Sequence, residues 1–288
     1  HYPREGRKSS DRRDKTFYLT RPSPEKRLWK KTTPDVPLLR GRRARRFARL
    51  HRNDLWQMDL KYLLVLPETA QRKAQQIYAS VVIDDATRLV VNCKICEKQD
   101  TWNVLDSFRQ ALELYGIPER IFTDNGSQYV SRQLTQVCAK LGIKKLRARP
   151  RRASAKGKVE AFNRYLDSFV EEVKLKRPQR AVEVQHYLDI WLLELYHRKP
   201  HSALSGKTPE QVFKEDDQPL RWATKEELDW AFTFTEQRLV DKTGCISFSG
   251  ILWEVGEDLI GMKVEVAYRP SNPEELEIFH EGFEPRKI

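Results

Sequence analysis

Four cysteines in 288 residues, Cys93, Cys96, Cys138 and Cys245, are too few and too scattered for a disulfide scaffold, and they point to a reducing, intracellular setting. Cys93-Lys94-Ile95-Cys96 is a lone CxxC. A structural zinc needs four ligands and no second pair accompanies this one, so ordinary packing on opposite faces of a strand is expected. No apolar run approaches the ~18 residues that span a bilayer. No signal peptide stands at the start. No glycine-rich phosphate loop of the Walker type is present, which leaves no nucleotide cofactor for the chemistry. The chain opens on His1 rather than Met, so a fragment of a longer protein is expected, with room for an upstream domain.

Acidic residues are the other shortage. Against 53 Lys and Arg stand 41 Asp and Glu, a net charge of +12. The excess is local. Residues 1–52 hold 18 basic and five acidic residues, or +13, and leave 35 basic and 36 acidic residues for the rest. The densest stretch, "RGRRARRFARLHR", includes Arg42, Arg43, Arg45 and Arg46. With five prolines and little periodicity, residues 1–52 read as a mostly extended basic arm suited to a phosphate backbone. A solubilising or targeting tail is the alternative reading of the same composition.

From residue 54 the periodicity changes. "DLWQMDLKYLLVL" predicts a strand, and "QQIYASVVIDDATRLVVNCKICE" predicts two more around a short turn at Asp84 and Asp85. "TWNVLDSFRQALELYG" has helical spacing closed by Gly116. "RIFTDNGSQYV" raises a choice. Asn-Gly is a strong hairpin signal, but Val130, Leu134, Val137, Cys138 and Leu141 then repeat at three and four, which predicts a helix. Strand–turn–helix places Asp124 at the C-terminal lip of a buried strand, where sites collect in α/β sheets. Asn125 and Gly126 shape the backbone behind it. A strand at "IKKLRA", a basic loop, an amphipathic helix at "VEAFNRYLDSFVEEV" and a second helix at "AVEVQHYLDIWLLELYHRK" complete the reading to about residue 215. Residues 216–234 read as a linker and 235–288 as a small β-barrel of short strands.

This order of elements is that of the α/β ribonuclease-H-like fold. It would bring together acidic residues midway along the first strand, at the end of the fourth and on a later helix. Asp59, Asp124 and Glu160 occupy those places, the last two separated by 35 residues. Asp59 in an apolar strand is costly unless paired or metal-bound. Asp124 alone reads equally well as a turn residue, and Glu160 alone as an ordinary helix residue. Asp84 and Asp85 read as turn residues outside the triad. Asn163, one turn after Glu160, either hydrogen-bonds DNA or the site, or is simply exposed. "KKLRARPRRASAKGK" carries eight basic residues and no acid and leads directly to Glu160. Arg149, Arg151, Arg152, Lys156 and Lys158 are therefore read as DNA contacts. His197 and His201 flank a helix end and read as structural.

The stretches "LWQMDLKYL", "VVIDDATRLVV", "GIPERIFTDNGSQYVS", "AKGKVEAFNRYL" and "YHRKPHSALSGKTPEQVF" resemble the retroviral-integrase-type DDE transposases of bacterial insertion sequences, over roughly residues 53–215. The terminal barrel is similar in kind to that of phage Mu-type transposases. The resemblance implies an integrase core (53–215) between the basic arm and the barrel. It also implies a DNA transposase or integrase that cleaves DNA 3′ ends and transfers them into target DNA, as a homo-oligomer on paired ends, in a bacterial cytoplasm at the nucleoid. The alternatives are a hydrolytic nuclease of the same fold, a phage or viral integrase, and an inactive DNA-binding protein. Many relatives carry Lys or Arg seven residues after the Glu, where this chain has Asp167; Arg164 would take over a DNA contact. The chemistry agrees with the resemblance. Three clustered carboxylates repel one another, and hard cations resolve that repulsion. Two Mg²⁺ or Mn²⁺ ions ~4 Å apart suit an in-line displacement, with Asp59 bridging both, Asp124 on one and Glu160 on the other. The barrel, with Lys263, Arg269, Arg286 and Lys287, is expected to serve assembly or non-specific DNA contact, and a chain ending near residue 225 is expected to fold without it.

Overall fold

A computed structural model describes residues 49–147, 157–270 and 272–288. The chain divides into two units, His1–Arg46 and Phe47–Ile288, and all the described residues belong to the second. Arg42, Arg43, Arg45, Arg46, Arg149, Arg151, Arg152 and Lys156 lie outside the described residues.

Three antiparallel strands come first: β1 (Trp56–Leu66), β2 (Gln75–Asp84) and β3 (Val90–Cys96). Helix α1 (Thr101–Tyr115) leads to β4 (Arg120–Thr123), α2 (Ser127–Val130), α3 (Arg132–Lys140) and β5 (Lys144–Arg147). The sheet order is β3-β2-β1-β4-β5, with β4 parallel to β1 and β5 parallel to β4. Helix α4 (Gly157–Leu175) follows, then α5 (Ala181–Trp191), which runs on as a π-helical turn over Leu192–Tyr196.

Both faces of the sheet are covered, so the central strand is buried along most of its length. Trp56 and Met58 of β1 join the core that includes Val104, Phe108 and Leu112 of α1 and Leu134 and Val137 of α3. Gln57, Asp59 and Lys61 alternate with them and face α4. A register shift between Tyr62 and Leu64 then resets the alternation. Leu64 and Leu66 thereby enter the second core, with Phe162, Leu166, Phe169 and Trp191 of α4 and α5. A polar ladder and an apolar one thus follow each other on one face of a single strand. The six α4 residues with helical apolar spacing, Val159, Phe162, Leu166, Phe169, Val170 and Val173, are all buried.

Three expectations need correction. The helix after Asp124 is two helices. Ser131 breaks the run (φ −52°, ψ 148°), and its hydroxyl accepts from the Leu134 N–H to cap α3. The break turns Tyr129 fully inward and leaves Val130 exposed.

Residues 216–234 are not a free linker. They carry α7 (Lys225–Ala231), capped by a reciprocal Thr224–Glu227 box. The stretch packs on the core through Leu228, Ala231 and Phe232. The Ile117 N–H donates to the Arg221 carbonyl at 2.6 Å. A Cβ on Gly116 (φ 81°) would meet that same carbonyl oxygen at 2.7 Å, so only glycine fits there.

Among the described residues, the C-terminal strands do not close into a barrel. β6 (Phe234–Leu239), β9 (Lys263–Arg269), β10 (Asn272–Phe279) and β11 (Arg286–Lys287) form a four-stranded antiparallel sheet in the order β11-β10-β9-β6. β7 (Cys245–Phe248) and β8 (Ile251–Glu254) form a separate hairpin. The interior of this sheet is continuous with the core around α1. Between α5 and α7 lies α6 (Pro209–Glu215). Among the described residues, no helix is long and apolar enough to cross a membrane.

Candidate active site

The parallel pairing of β1 with β4 sets the site. Trp56 pairs with Ile121 and Gln57 with Phe122. Asp59 and Asp124 each lie two residues beyond Gln57 and Phe122, so they stand at the same level at the C-terminal end of this pairing. Asp59 is buried and Asp124 half-buried. Asp124 ends the strand as an Asx turn: its Oδ1 accepts from the Gly126 N–H at 2.8 Å. A Cβ on Gly126 would approach that carboxylate oxygen to 3.0 Å.

Helix α4 is tied across β1. Asn163 donates from Nδ2 to Asp59 Oδ2 at 2.7 Å, and Lys61 Nζ donates to the Asn163 carbonyl and the Asp167 carboxylate. Asp167, where the resemblance led to the expectation of a cation, thus pairs with the Lys61 ammonium of β1. Glu160 lies in the first turn of α4 and is exposed, at the end where the helix dipole favours a carboxylate. The carboxylate oxygens of Asp59, Asp124 and Glu160 do not all lie within 4.8 Å of one another. The group of three that does, among the described residues, is His51, Asp216 and Asp217. Asp216 is already engaged there by the His51 ring and by the Arg52 and Gln218 N–H groups.

Among the buried polar atoms of this region that have no hydrogen-bond partner are Thr123 Oγ1, Tyr129 Oη and Asn163 Oδ1. Burial, followed by the negative charges of Asp59 and Asp124, pushes the Tyr129 phenol well above its ordinary pKa. Tyr129 was not legible as a site residue, because the helical repeat pointed to its neighbour Val130. Of the expected DNA contacts, Arg164 is exposed. Lys158 is directed inward instead, with Nζ 2.5 Å from Asp85 Oδ1.

Asp84 and Asp85 stand at a turn, as their sequence predicts, and both are fully buried. Asp84 accepts from the Asn53 N–H, the Thr87 N–H and the Thr87 hydroxyl. Burial still dominates and raises its pKa from 3.8 to about 6. Because the folded pKa lies above the unfolded one, Asp84 contributes its full stability below about pH 4 and loses it as the pH rises through 6. Urea melts are therefore expected to show the parent losing roughly 3 kcal/mol relative to Asp84→Asn across that window. A constant difference from pH 4 to 7 would mean that the carboxyl ionises normally.

Residues 49–153 match the family model described as the integrase core domain. The chain is 22% identical over 249 residues to the transposase for transposon Tn552 of Staphylococcus aureus, covering 79% of this chain and 52% of that protein. It is 26% identical over 172 residues to a 39.2 kDa protein of insertion element IS476 from Xanthomonas euvesicatoria, covering 59% of this chain and 47% of that one. The chain thus spans about half the length of these relatives. Its fold is similar to a chain in the cryo-electron microscopy structure of a simian T-cell lymphotropic virus intasome bound to PP2A regulatory subunit B56 gamma. The TM-score is 0.52 at 17% identity, over 84% of this chain and 78% of that one. Residues 49–153 thus match an integrase core domain, and the ribonuclease-H-like sheet is the frame on which Asp59 and Asp124 are set level.

Proposed function

We propose that this chain is the catalytic part of a metal-dependent DNA transposase, which cleaves DNA 3′ ends and transfers them into target DNA. The observation that carries this reading is the β1–β4 register, which sets Asp59 and Asp124 level on adjacent parallel strands beneath the helix that bears Glu160. The similarity to the Tn552 transposase supports it. These three residues would hold one or two Mg²⁺ or Mn²⁺ ions. The fit is chemical: the donors are hard oxygens, and the orphaned Tyr129 Oη and Asn163 Oδ1 add polar atoms that have no protein partner. When bound, such ions activate the attacking oxygen and stabilise the leaving one.

The chain's own groups account for the rest. Asn163 fixes the orientation of the Asp59 carboxylate, and Lys61 fastens α4 over the strand. Exposed Arg164 offers a cation to a phosphate beside Glu160. Two copies or more would act together on paired ends. A labelled duplex carrying the element's end, incubated with supercoiled plasmid and Mg²⁺ or Mn²⁺, tests the reading. Plasmid-joined label is expected. Hydrolysed ends without joining would make the chain a nuclease, and binding without any cleavage would make it a DNA-binding protein.

Deleting residues 1–46 is expected to weaken DNA binding and flatten its salt dependence, since 15 of the 18 basic residues of the arm lie before residue 46 and another is Arg46 itself. The cut belongs there rather than after residue 52. Arg52 donates to the Phe213 and Gln218 carbonyls, and Asn53 to the Tyr115 carbonyl and, through its own side-chain oxygen, accepts from Trp56. An unchanged salt slope would remove the arm from the DNA interface.

A further inference from the structure

We infer that Asp85, Gln57 and Lys158 form a buried positioning cluster that sets the first turn of α4, and with it Glu160, against the strand that carries Asp59. The inference rests on the metal-site reading above and extends it to residues that touch neither metal nor DNA.

Four groups converge on the Asp85 turn and the start of α4. Asp85 Oδ1 accepts from Gln57 Nε2 at 2.7 Å and from Lys158 Nζ at 2.5 Å, and its Oδ2 accepts from the Arg49 N–H at 2.8 Å. The Asp85 N–H itself donates to the Leu55 carbonyl at 2.9 Å, which fixes the turn against the start of β1. Gln57 Oε1 accepts from the Val159 N–H at 3.2 Å. The Gln57 amide therefore uses its donor side on the carboxylate and its acceptor side on the helix, an order that cannot be reversed without facing oxygen to oxygen.

Sequence position gives this arrangement its consequence. Gln57 precedes Asp59 by two residues on the same face of β1, and Lys158 and Val159 immediately precede Glu160. Three elements, β1, the β2–β3 turn and α4, thus meet at one carboxylate with no exposed surface. A buried carboxylate and a half-buried ammonium hold each other in place because separating them leaves the carboxylate uncompensated in the interior. Sliding or rotating α4 by one residue would break the Lys158–Asp85 pair and the Gln57–Val159 bond together. Further along the helix, the Asn163–Asp59 and Lys61–Asp167 contacts hold α4 to the same strand. Glu160 lies between the two fastenings. Its own side chain is exposed, so its place relative to Asp59 comes from the helix and not from packing of its carboxylate.

The test uses the full chain carrying Asp85→Asn or Gln57→Leu, with Mn²⁺ binding followed by the electron paramagnetic resonance of free Mn²⁺, and joining assayed across a Mn²⁺ series. Both variants keep side-chain size close to the parent. Mn²⁺ affinity is expected to fall by about tenfold or more, as it does when groups behind metal ligands are altered. DNA affinity stays within about twofold, and part of the joining activity returns at high Mn²⁺ because all three ligands remain. Unchanged Mn²⁺ affinity and an unchanged Mn²⁺ series in a folded variant would overturn the inference. Gln57→Leu removes no charge, so it decides the matter if Asp85→Asn does not fold. Asp59→Asn separates the two levels: if it binds Mn²⁺ as the parent does, the metal-site reading fails, whatever the cluster does.

Discussion

Asp59→Asn, Asp124→Asn and Glu160→Gln are each expected to abolish DNA cleavage and joining while leaving DNA binding close to that of the parent. Each change removes one carboxylate charge at almost constant volume. In the metal-site reading, the charge held there is what stabilises the attacking and leaving oxygens, by several kcal/mol. Losing about 4 kcal/mol of that is roughly a thousandfold in rate. DNA binding is expected to persist because the cations proposed to meet phosphate, on the arm and at Arg164, are untouched by these changes. The three variants should differ in stability. Asp59 is buried and bonded to Asn163, so Asp59→Asn also disturbs the contact between β1 and α4. Glu160 is exposed, and Glu160→Gln should melt with the parent. Gel-shift titration, a cleavage and joining assay, and thermal melts on the same preparations check all of this. Near-normal joining by any one variant would remove that residue from the site.

The fold was legible where burial follows one simple period. The apolar face of α4 was read residue by residue from spacing alone, because a helix resting on one side of a sheet has a single buried stripe. The three antiparallel strands and the strand–turn–helix at Asp124 were likewise legible from apolar runs punctuated by turn residues. Legibility failed where one side chain changed the period. The shift after Tyr62 in β1 and the Ser131 cap between α2 and α3 are each local events that a repeat of two or of three to four averages away. In the second case the averaging hid Tyr129. The turn at Asp84 and Asp85 was legible but their burial was not, because a sequence shows the turn but not what covers it. One signal was available: Gln57 is a polar residue two places before Asp59 in an otherwise apolar stretch, and a buried amide needs partners. Helix α7 within 216–234 was not read although Thr224 and Glu227 stood at capping-box spacing, because seven residues are too short a stretch for a helical repeat to show.

Phe234→Ala is expected to lower the stability of the whole chain by roughly 3–5 kcal/mol, the usual cost of emptying a buried phenylalanine site. A unit of this size would then melt roughly 10 °C lower. The reason is that the C-terminal sheet and the integrase core share one interior. Phe234 is buried, with its ring centroid 5.8 Å from Trp102 of α1 and 6.0 Å from Tyr268 of β9. Around this contact, Arg109 of α1 pairs with Asp229 at 2.6 Å and lies over the Phe232 ring, and Lys140 of α3 donates to the Trp230 and Thr233 carbonyls. A chain ended near residue 225 would lose all of these partners and uncover the α1 face that carries Trp102. The truncated chain is therefore expected to unfold without cooperativity and to bind a hydrophobic dye, contrary to the independent folding that a linker at 216–234 implied. A single sharp melt of the truncated chain within a few degrees of the parent, or an unshifted melt of Phe234→Ala, would show that the core stands alone and that the shared interior contributes little.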